Sequence, residues 1–302
     1  MAAMARIPLP TNFNALPSPQ IPGYYAQDQS RRDWHTIVQC ILLSDTSAES
    51  VADSLASDVN TGNLDLTGNN ALHPAKRTSQ IFATIVDIAI HIPFNHVAQY
   101  RLLGLMQALR RQSGPPEAIR EAIREIDGSV GEFFWADLPT FSFLIHDLFD
   151  YMIPLQSEAT RMAGHGWSGQ EWLNYNAFLS LLLAEGVAGQ CDPDLGFDHL
   201  ALRLLHLTLE IPQTNQDLES NIPAAVVWIL NAGKWIHAHD GLLIDPRVQK
   251  RKDKLYNGQD GFCVERWSFW KRRFEEIAQD DGLLSETKNW ALQAGEYMES
   301  LG

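Results

Sequence analysis

The sequence predicts an all-α fold, an irregular bundle or short solenoid of about ten helices with no significant sheet. No stretch alternates apolar and polar residues for long enough to indicate a strand. Apolar residues instead recur three and four positions apart along most of the chain, and helix-capping patterns precede several of these runs. Both observations favour helices that pack their apolar faces against one another.

The first elements follow from proline content and capping patterns. Residues 1–29 hold five of the 15 prolines, which predicts an extended N-terminal arm before a single helical domain over 30–302. A capping-box pattern at Ser30–Asp33 starts the first predicted helix, and Thr46–Glu49 starts a short second one. The stretch 60–73 is rich in Gly and Asn, so we expect a loop there.

The segment 74–93 predicts a helix that lies in the middle of the folded body. From Pro74 onward, apolar residues occupy nearly all sides of the predicted helix, and Pro93 ends it. Another apolar helix reaches Leu109, and Gly114–Pro116 separates it from a polar helix over 117–126.

The second half begins with an irregular aromatic segment over 127–142. Two features mark helix starts: a second capping box at Ser168–Glu171, and a proline, Pro223, expected in a first helical turn. A charged loop is predicted over 241–261. The remaining predicted helices cover 143–152, a segment from Ser168, 197–210, a segment from Asn221, 262–279 and 285–301.

Composition narrows the class of protein. The chain has 302 residues, 45% of them hydrophobic, which is enough for a substantial core. Its net charge of −14 argues against nucleic-acid binding, because an acidic surface repels phosphate backbones. No apolar run reaches the roughly 18–20 residues of a membrane span, and the N-terminus lacks a secretory apolar region. Three widely spaced cysteines indicate a reducing compartment, so we expect a cytoplasmic protein.

The most distinctive segment is Gly261–Phe274, which predicts a tightly packed helix near the C-terminus. Arg266 and Arg273 lie at the edge of its apolar seam, where their stems can cover indole rings. We expect Arg266 to pair with Glu210 or Glu185 across a helix interface, which makes the motif architectural. The seam consists of Cys263, Trp267, Trp270, Phe274 and Ile277.

The run RWxxWxxRF, formed by Arg266–Phe274 after a Gly-rich loop, resembles the C-terminal mark of a widespread fungal family of uncharacterised helical proteins. The similarity extends to Glu171–Phe178, Leu207–Glu210 and Tyr297–Met298 and covers roughly residues 130–300. This family is a domain of unknown function, so the resemblance implies a helical fold and no activity. Thr208 stands here where the family pattern has alanine.

A weak catalytic hypothesis rests on Asp147 and Asp150, which lie three positions apart after His146. Two carboxylates so spaced can hold Mg²⁺ with a diphosphate, as in class I terpene cyclases. Asn176 and Ser180 suggest a second metal box, but Glu185 falls one position too late. Such an enzyme would act on an apolar, isoprenoid-type substrate among aromatic side chains, for which the candidates are Trp135, Phe141, Trp172, Tyr175 and Trp228.

A basic island suggests a different function. Nine of the 23 basic residues fall within 247–273, and the loop 247–254 holds five of them. A regulatory protein could read an acidic partner through this loop.

The sequence by itself does not assign a function. The leading interpretation is a soluble helical binding or scaffold protein that holds a protein partner or an apolar small molecule between helix pairs. We favour it because no motif reaches the specificity that catalysis normally shows in sequence. No cofactor is expected, apart from Mg²⁺ under the isoprenoid alternative.

Overall fold

The structure is a computed structural model of the chain. It describes residues 33, 35–41, 47–61, 74–125, 133–138, 140–152, 167–187, 196–242 and 254–302. The predicted proline-rich arm over 1–29 lies outside these residues.

Within these ranges the chain forms eleven complete α-helices and no strand, which confirms the predicted all-α fold. None of these helices is both long enough and apolar enough to cross a membrane. Residues 35–41 are also helical, and a π-helical turn, His206–Glu210, continues directly from α8. The helices are α1 (Ala48–Asn60), α2 (Pro74–His91), α3 (Val97–Arg110), α4 (Glu117–Arg124), α5 (Phe134–Asp137), α6 (Phe141–Met152), α7 (Gly169–Ala184), α8 (Phe197–Leu205), α9 (Asn215–Ala238), α10 (Val264–Ala278) and α11 (Ser285–Glu299).

The capping patterns locate two helix starts closely. Ser168 caps α7 as predicted: its Oγ accepts the backbone N–H of Glu171 at 3.2 Å, and the Glu171 carboxylate accepts the backbone N–H of Ser168 at 2.8 Å. In α1 the cap is Ser47, whose Oγ accepts the backbone N–H of Ser50 at 3.1 Å. The predicted start at Thr46 was therefore one residue early.

The prediction for Pro223 was wrong. Helix α9 begins at Asn215, where Thr214 and Asp217 form a capping box, so Pro223 lies inside the helix. A proline inside a helix removes one backbone N–H and so one helical hydrogen bond. The burial of Ala224, Ala225 and the following apolar residues keeps the helix continuous past this defect.

The chain divides into two compact units. The N-terminal unit contains Met1–Asp147 and Val187–Pro193, and the C-terminal unit contains Leu148–Gly186 and Asp194–Gly302. A single domain over 30–302 stays a prediction.

The core of the N-terminal unit forms around α2, nearly all of whose side chains are buried. Its apolar residues pack with α1, α3 and α4. Among the buried polar groups is the Arg77 guanidinium, which is bound by Asp33 and by Asp58, the latter at 2.8 Å. This pairing satisfies a charge that would be costly to bury alone.

The C-terminal unit is built on α9. Helix α7 packs along one part of α9, and α11 packs against both α9 and α10. Gly233 permits this close approach, because a Cβ there would lie 3.1 Å from Cε1 of Tyr297 and 3.5 Å from Cη2 of Trp267. Helix α10 in turn packs against α11 and lies beside α9.

Candidate functional site

The inner face of α10 packs against the rest of the C-terminal unit. All five residues of the predicted seam are buried. Cys263 caps the helix, since its Sγ accepts the backbone N–H of Arg266 at 3.4 Å. Asp240 adds a second cap by accepting the backbone N–H of Val264 at 3.1 Å. These caps satisfy N–H groups that the first helical turn leaves without a partner.

A buried carboxylate, Glu210, lies at the centre of this face and accepts four hydrogen bonds. Arg266 donates from Nε at 2.7 Å and from Nη2 at 3.0 Å. Trp270 donates from Nε1 at 2.7 Å, and Nδ1 of His206 lies 2.8 Å from the other carboxylate oxygen. Glu210 is 0% exposed and Arg266 1%. The structure therefore contains the Arg266–Glu210 pair, the first of the two partners suggested by the sequence.

Aromatic and sulfur groups surround the guanidinium. It lies 4.9 Å from the ring centre of Tyr256 and 5.8 Å from that of Trp270, and Nη1 donates to the carbonyl of Gly261 at 2.7 Å. The Tyr256 hydroxyl is hydrogen-bonded to Sγ of Cys263 at 3.2 Å. Burial and this hydrogen bond raise the pKa of Tyr256.

We call these residues the Glu210 cluster: His206, Glu210, Tyr256, Cys263, Arg266 and Trp270. The cluster connects the π-helical turn, the loop around Tyr256 and α10. The backbone N–H of Leu255 adds to this connection by donating to the carbonyl of Glu210 at 2.6 Å. The cavity that Cys263, Trp267 and Trp270 line with neighbouring residues has a volume of about 10 Å³, room for about one water. The cluster is therefore suited to holding α10 in place, and this cavity beside it is too small for an organic ligand.

Sequence reasoning missed two members of the cluster, His206 and Tyr256. His206 and Glu210 are four positions apart, a spacing that could have paired them on one helix face. Tyr256 lies in a loop, where sequence periodicity carries no information about contacts.

The Glu210 carboxyl should titrate abnormally. Burial alone would raise its pKa, but the hydrogen bonds and charges of His206 and Arg266 outweigh this effect and lower the pKa below its ordinary value. A lowered native pKa stabilises the fold above the unfolded value of about 4.3, and this stability is lost as the pH falls through the native pKa. We expect ¹³C NMR of the labelled glutamate carboxyls to place the Glu210 midpoint below about 4.3. A midpoint above that value would show that burial outweighs the partners.

The two aspartates of the metal hypothesis lie on the solvent side of α6. Asp147 and Asp150 are both exposed, and Asp150 pairs with Arg203. His146 is half-buried. Among the residues that the structure describes, no group of three or more His, Cys, Asp or Glu side chains is arranged to hold a metal ion. This placement does not favour a diphosphate site, which needs both carboxylates to point into a cavity.

Two aromatic candidates form part of the core of the N-terminal unit. The ring centres of Trp135 and Phe141 lie 6.4 Å and 5.0 Å from that of Phe82. Trp135 also donates from Nε1 to Asn60 at 3.2 Å. Trp135 is 1% exposed and Phe141 0%, so neither presents its ring at the surface.

The other aromatic candidates are core residues of the C-terminal unit. Trp172, Tyr175 and Trp228 are all 0% exposed, and Trp172 stacks on Tyr175. Asn176 joins them: its amide donates to the carbonyl of Trp172 at 2.8 Å, and its Oδ1 accepts from Nε1 of Trp228 at 2.9 Å. Burial, with the charge of Asp150, raises the pKa of Tyr175. These contacts join α7 to α9.

The basic island is only partly described. Arg247 and Lys250–Lys252 lie outside the described residues, so the predicted 247–254 surface stays a prediction. The island's basic residues in α10 are mostly engaged: Arg266 is buried, Arg273 pairs with Glu276, and Lys271 pairs with Glu299. Arg273 also donates from Nε to the carbonyl of Leu209 at 3.3 Å.

A groove lies on the outer side of the same helix, between α10 and α11. Its volume is about 340 Å³. Ala291 and Gly295 are buried at its floor, whereas Leu292 is 51% exposed. We call it the C-terminal groove, lined by Lys271, Glu275, Ala291, Leu292, Gly295, Glu296 and Glu299. Sequence reasoning did not identify it, although a glycine inside a predicted helix is a signal of close approach.

Comparison with known proteins identifies the family. A family model described as "Protein of unknown function (DUF3632)" matches residues 82–274, and the chain belongs to this family. The match extends further toward the N-terminus than the expected 130–300 and ends at Phe274, the last residue of the RWxxWxxRF run. Comparisons with curated proteins and with solved structures find no match.

Proposed function

We propose that this member of the DUF3632 family is a protein-binding module, and that it holds an amphipathic helix of a protein partner in the C-terminal groove. Helix α11 contributes residues 291, 292, 295, 296 and 299, which recur at three and four positions and so line one helix face for about two turns. A partner helix lying along that face can place apolar anchors at matching intervals.

The observation that carries this proposal is the pairing of a small-residue floor with an exposed leucine. Ala291 is 0% exposed and Gly295 is buried, so the floor of the groove adds no side-chain bulk beyond one methyl group. Leu292 supplies apolar surface that the described helices leave 51% exposed. An exposed leucine beside a groove can serve as an apolar anchor point for a partner helix.

The openness of the groove favours a macromolecular partner over a small molecule. Pockets for small molecules bury most of the ligand surface. Here the rim residues Glu275, Leu292, Glu296 and Glu299 are all exposed, so a small ligand would stay in contact with solvent. The aromatic residues considered for an apolar ligand are instead packed inside their own units.

A second copy of this chain is a poor occupant. In a symmetric dimer through this groove, the same surface of both copies would meet and bring the rim carboxylates together. The net charge of −14 adds repulsion between copies. A separate protein partner avoids both penalties.

Filling the groove should abolish binding, which a selection experiment tests even while the natural partner is unidentified. We expect a phage-displayed library of randomised helical peptides to yield binders of the wild-type chain that bind Gly295→Leu at least tenfold more weakly. A Cβ at this position would lie 3.7 Å from Cγ of Glu275, an ordinary contact, so the helix accommodates leucine while the rest of its side chain fills the groove. Titration calorimetry with the enriched peptides measures the effect.

Gly295→Ala is the matched control, because it adds one methyl group and leaves the groove largely open. Replacing a helical glycine also favours folding of both variants, by up to about 1 kcal/mol, and circular dichroism verifies this. Binders that bind wild type and Gly295→Ala but not Gly295→Leu support the proposal. A selection whose binders all tolerate Gly295→Leu, or which yields no binder, overturns it.

A further inference from the structure

We infer that the partner helix is basic, an inference that rests on the proposed function. Lys271 of this chain then occupies the cation position in the groove until a lysine or arginine side chain of the partner displaces it. The C-terminal groove carries three carboxylates, on Glu275, Glu296 and Glu299, and one ammonium group, on Lys271. Its lining therefore has a net charge of −2, three negative charges against one positive. A helix with basic residues beside its apolar anchors is complementary to this lining.

Lys271 already shows how a cation is held there. It lies on α10, and its ammonium group pairs with Glu299 on α11 and approaches Glu275 at 3.8 Å. The side chains of Glu275 and Glu299 are 51% and 67% exposed, so a partner can reach both from solvent. The carboxylates of the rim are thus positioned to bind a basic group between the two helices.

Replacing the ammonium group of Lys271 by a cation of the partner costs little free energy. Exposed ion pairs contribute roughly 0–1 kcal/mol, because water screens them and two flexible side chains must be ordered. The Lys271 side chain is 30% exposed, so it can swing into solvent when a partner cation arrives. Lys271 then acts as a competitor that lowers the affinity for basic partners and leaves the affinity for neutral ones unchanged.

Removing the competitor should strengthen binding. The probe is a groove-dependent peptide from the selection, together with its analogue in which every Lys and Arg is replaced by Gln. We expect Lys271→Met to raise the affinity of the basic peptide about 2- to 5-fold and to leave the Gln analogue unchanged. Lys288→Met is the matched control, since it removes the same charge from an exposed pair with Asp281 outside the groove.

The opposite change should weaken binding. We expect Glu299→Gln to lower the affinity of the basic peptide about 2- to 5-fold, beyond the effect of Glu286→Gln, which removes the same charge outside the groove. Titration calorimetry at low and physiological salt measures both effects.

The outcomes separate the two proposals. Groove-dependent peptides without an excess of Lys and Arg would overturn the inference and leave the binding module intact. So would a Lys271→Met variant that binds the basic peptide no more tightly than Lys288→Met does. Loss of Gly295 dependence, in contrast, overturns the proposed function itself.

Discussion

Replacing Arg266 with Met should lower the free energy of unfolding by about 3–5 kcal/mol, the usual cost of removing one partner of a buried ion pair. The methionine keeps much of the stem's packing, but it leaves the carboxylate of Glu210 buried with donors only from His206 and Trp270. The carbonyl of Gly261 also loses the Nη1 donor. Urea unfolding followed by tryptophan fluorescence measures the loss, since the chain has nine tryptophans.

Arg273→Met is the matched control on the same helix. Arg273 pairs with the exposed Glu276, and its own side chain is 24% exposed, so we expect a loss of about 0–1 kcal/mol. The double variant Arg266→Met with Glu210→Leu should recover part of the stability, because it removes both charges together. Equal losses for Arg266→Met and Arg273→Met would contradict the structural role assigned to the Glu210 cluster.

Replacing Trp228 with Ala should cost about 3–5 kcal/mol, the range for removing a large aromatic side chain from a core. Trp228 is fully buried on α9, and its Nε1 donates to Asn176 on α7. The substitution therefore creates a cavity and removes the donor to a buried amide oxygen. Thermal and urea unfolding both report the change.

Trp228→Phe separates the two contributions. It keeps most of the ring volume but leaves Oδ1 of Asn176 without the indole donor, so we expect a smaller loss of about 1–3 kcal/mol. If Trp228 instead lined an open ligand pocket, its truncation to Ala would leave stability almost unchanged. That result would revive the apolar-ligand interpretation.

Features that depend on a few neighbouring residues could be predicted from the sequence. The capping box of Ser168 and Glu171 needs only one helical turn, and the buried seam of α10 follows from spacings of three and four. Such patterns also indicated the all-α class. A buried guanidinium must be paired, so the sequence also predicted a carboxylate partner for Arg266 and offered two, Glu210 and Glu185.

Features that depend on distant parts of the chain required the tertiary structure. Pro223 favours a helix start locally, yet the burial of the residues around it carries α9 through the proline. Asp147 and Asp150 have a metal-binding spacing, but the packing of α6 leaves both exposed. Trp172 and Trp228 each belong to an apolar pattern with helical spacing, and such a pattern fits the lining of a pocket as well as a core.

Periodicity, charge and capping alone indicate that this protein is helical and acidic and has a tightly packed Arg–Trp helix near its C-terminus, because these are local or additive properties. In contrast, the choice of Glu210 as the buried partner of Arg266, and the groove that α10 and α11 leave above Gly295, are visible only in the folded chain. Both depend on which surfaces of distant helices meet. That choice is made by packing, which the spacing of residues along one helix does not specify.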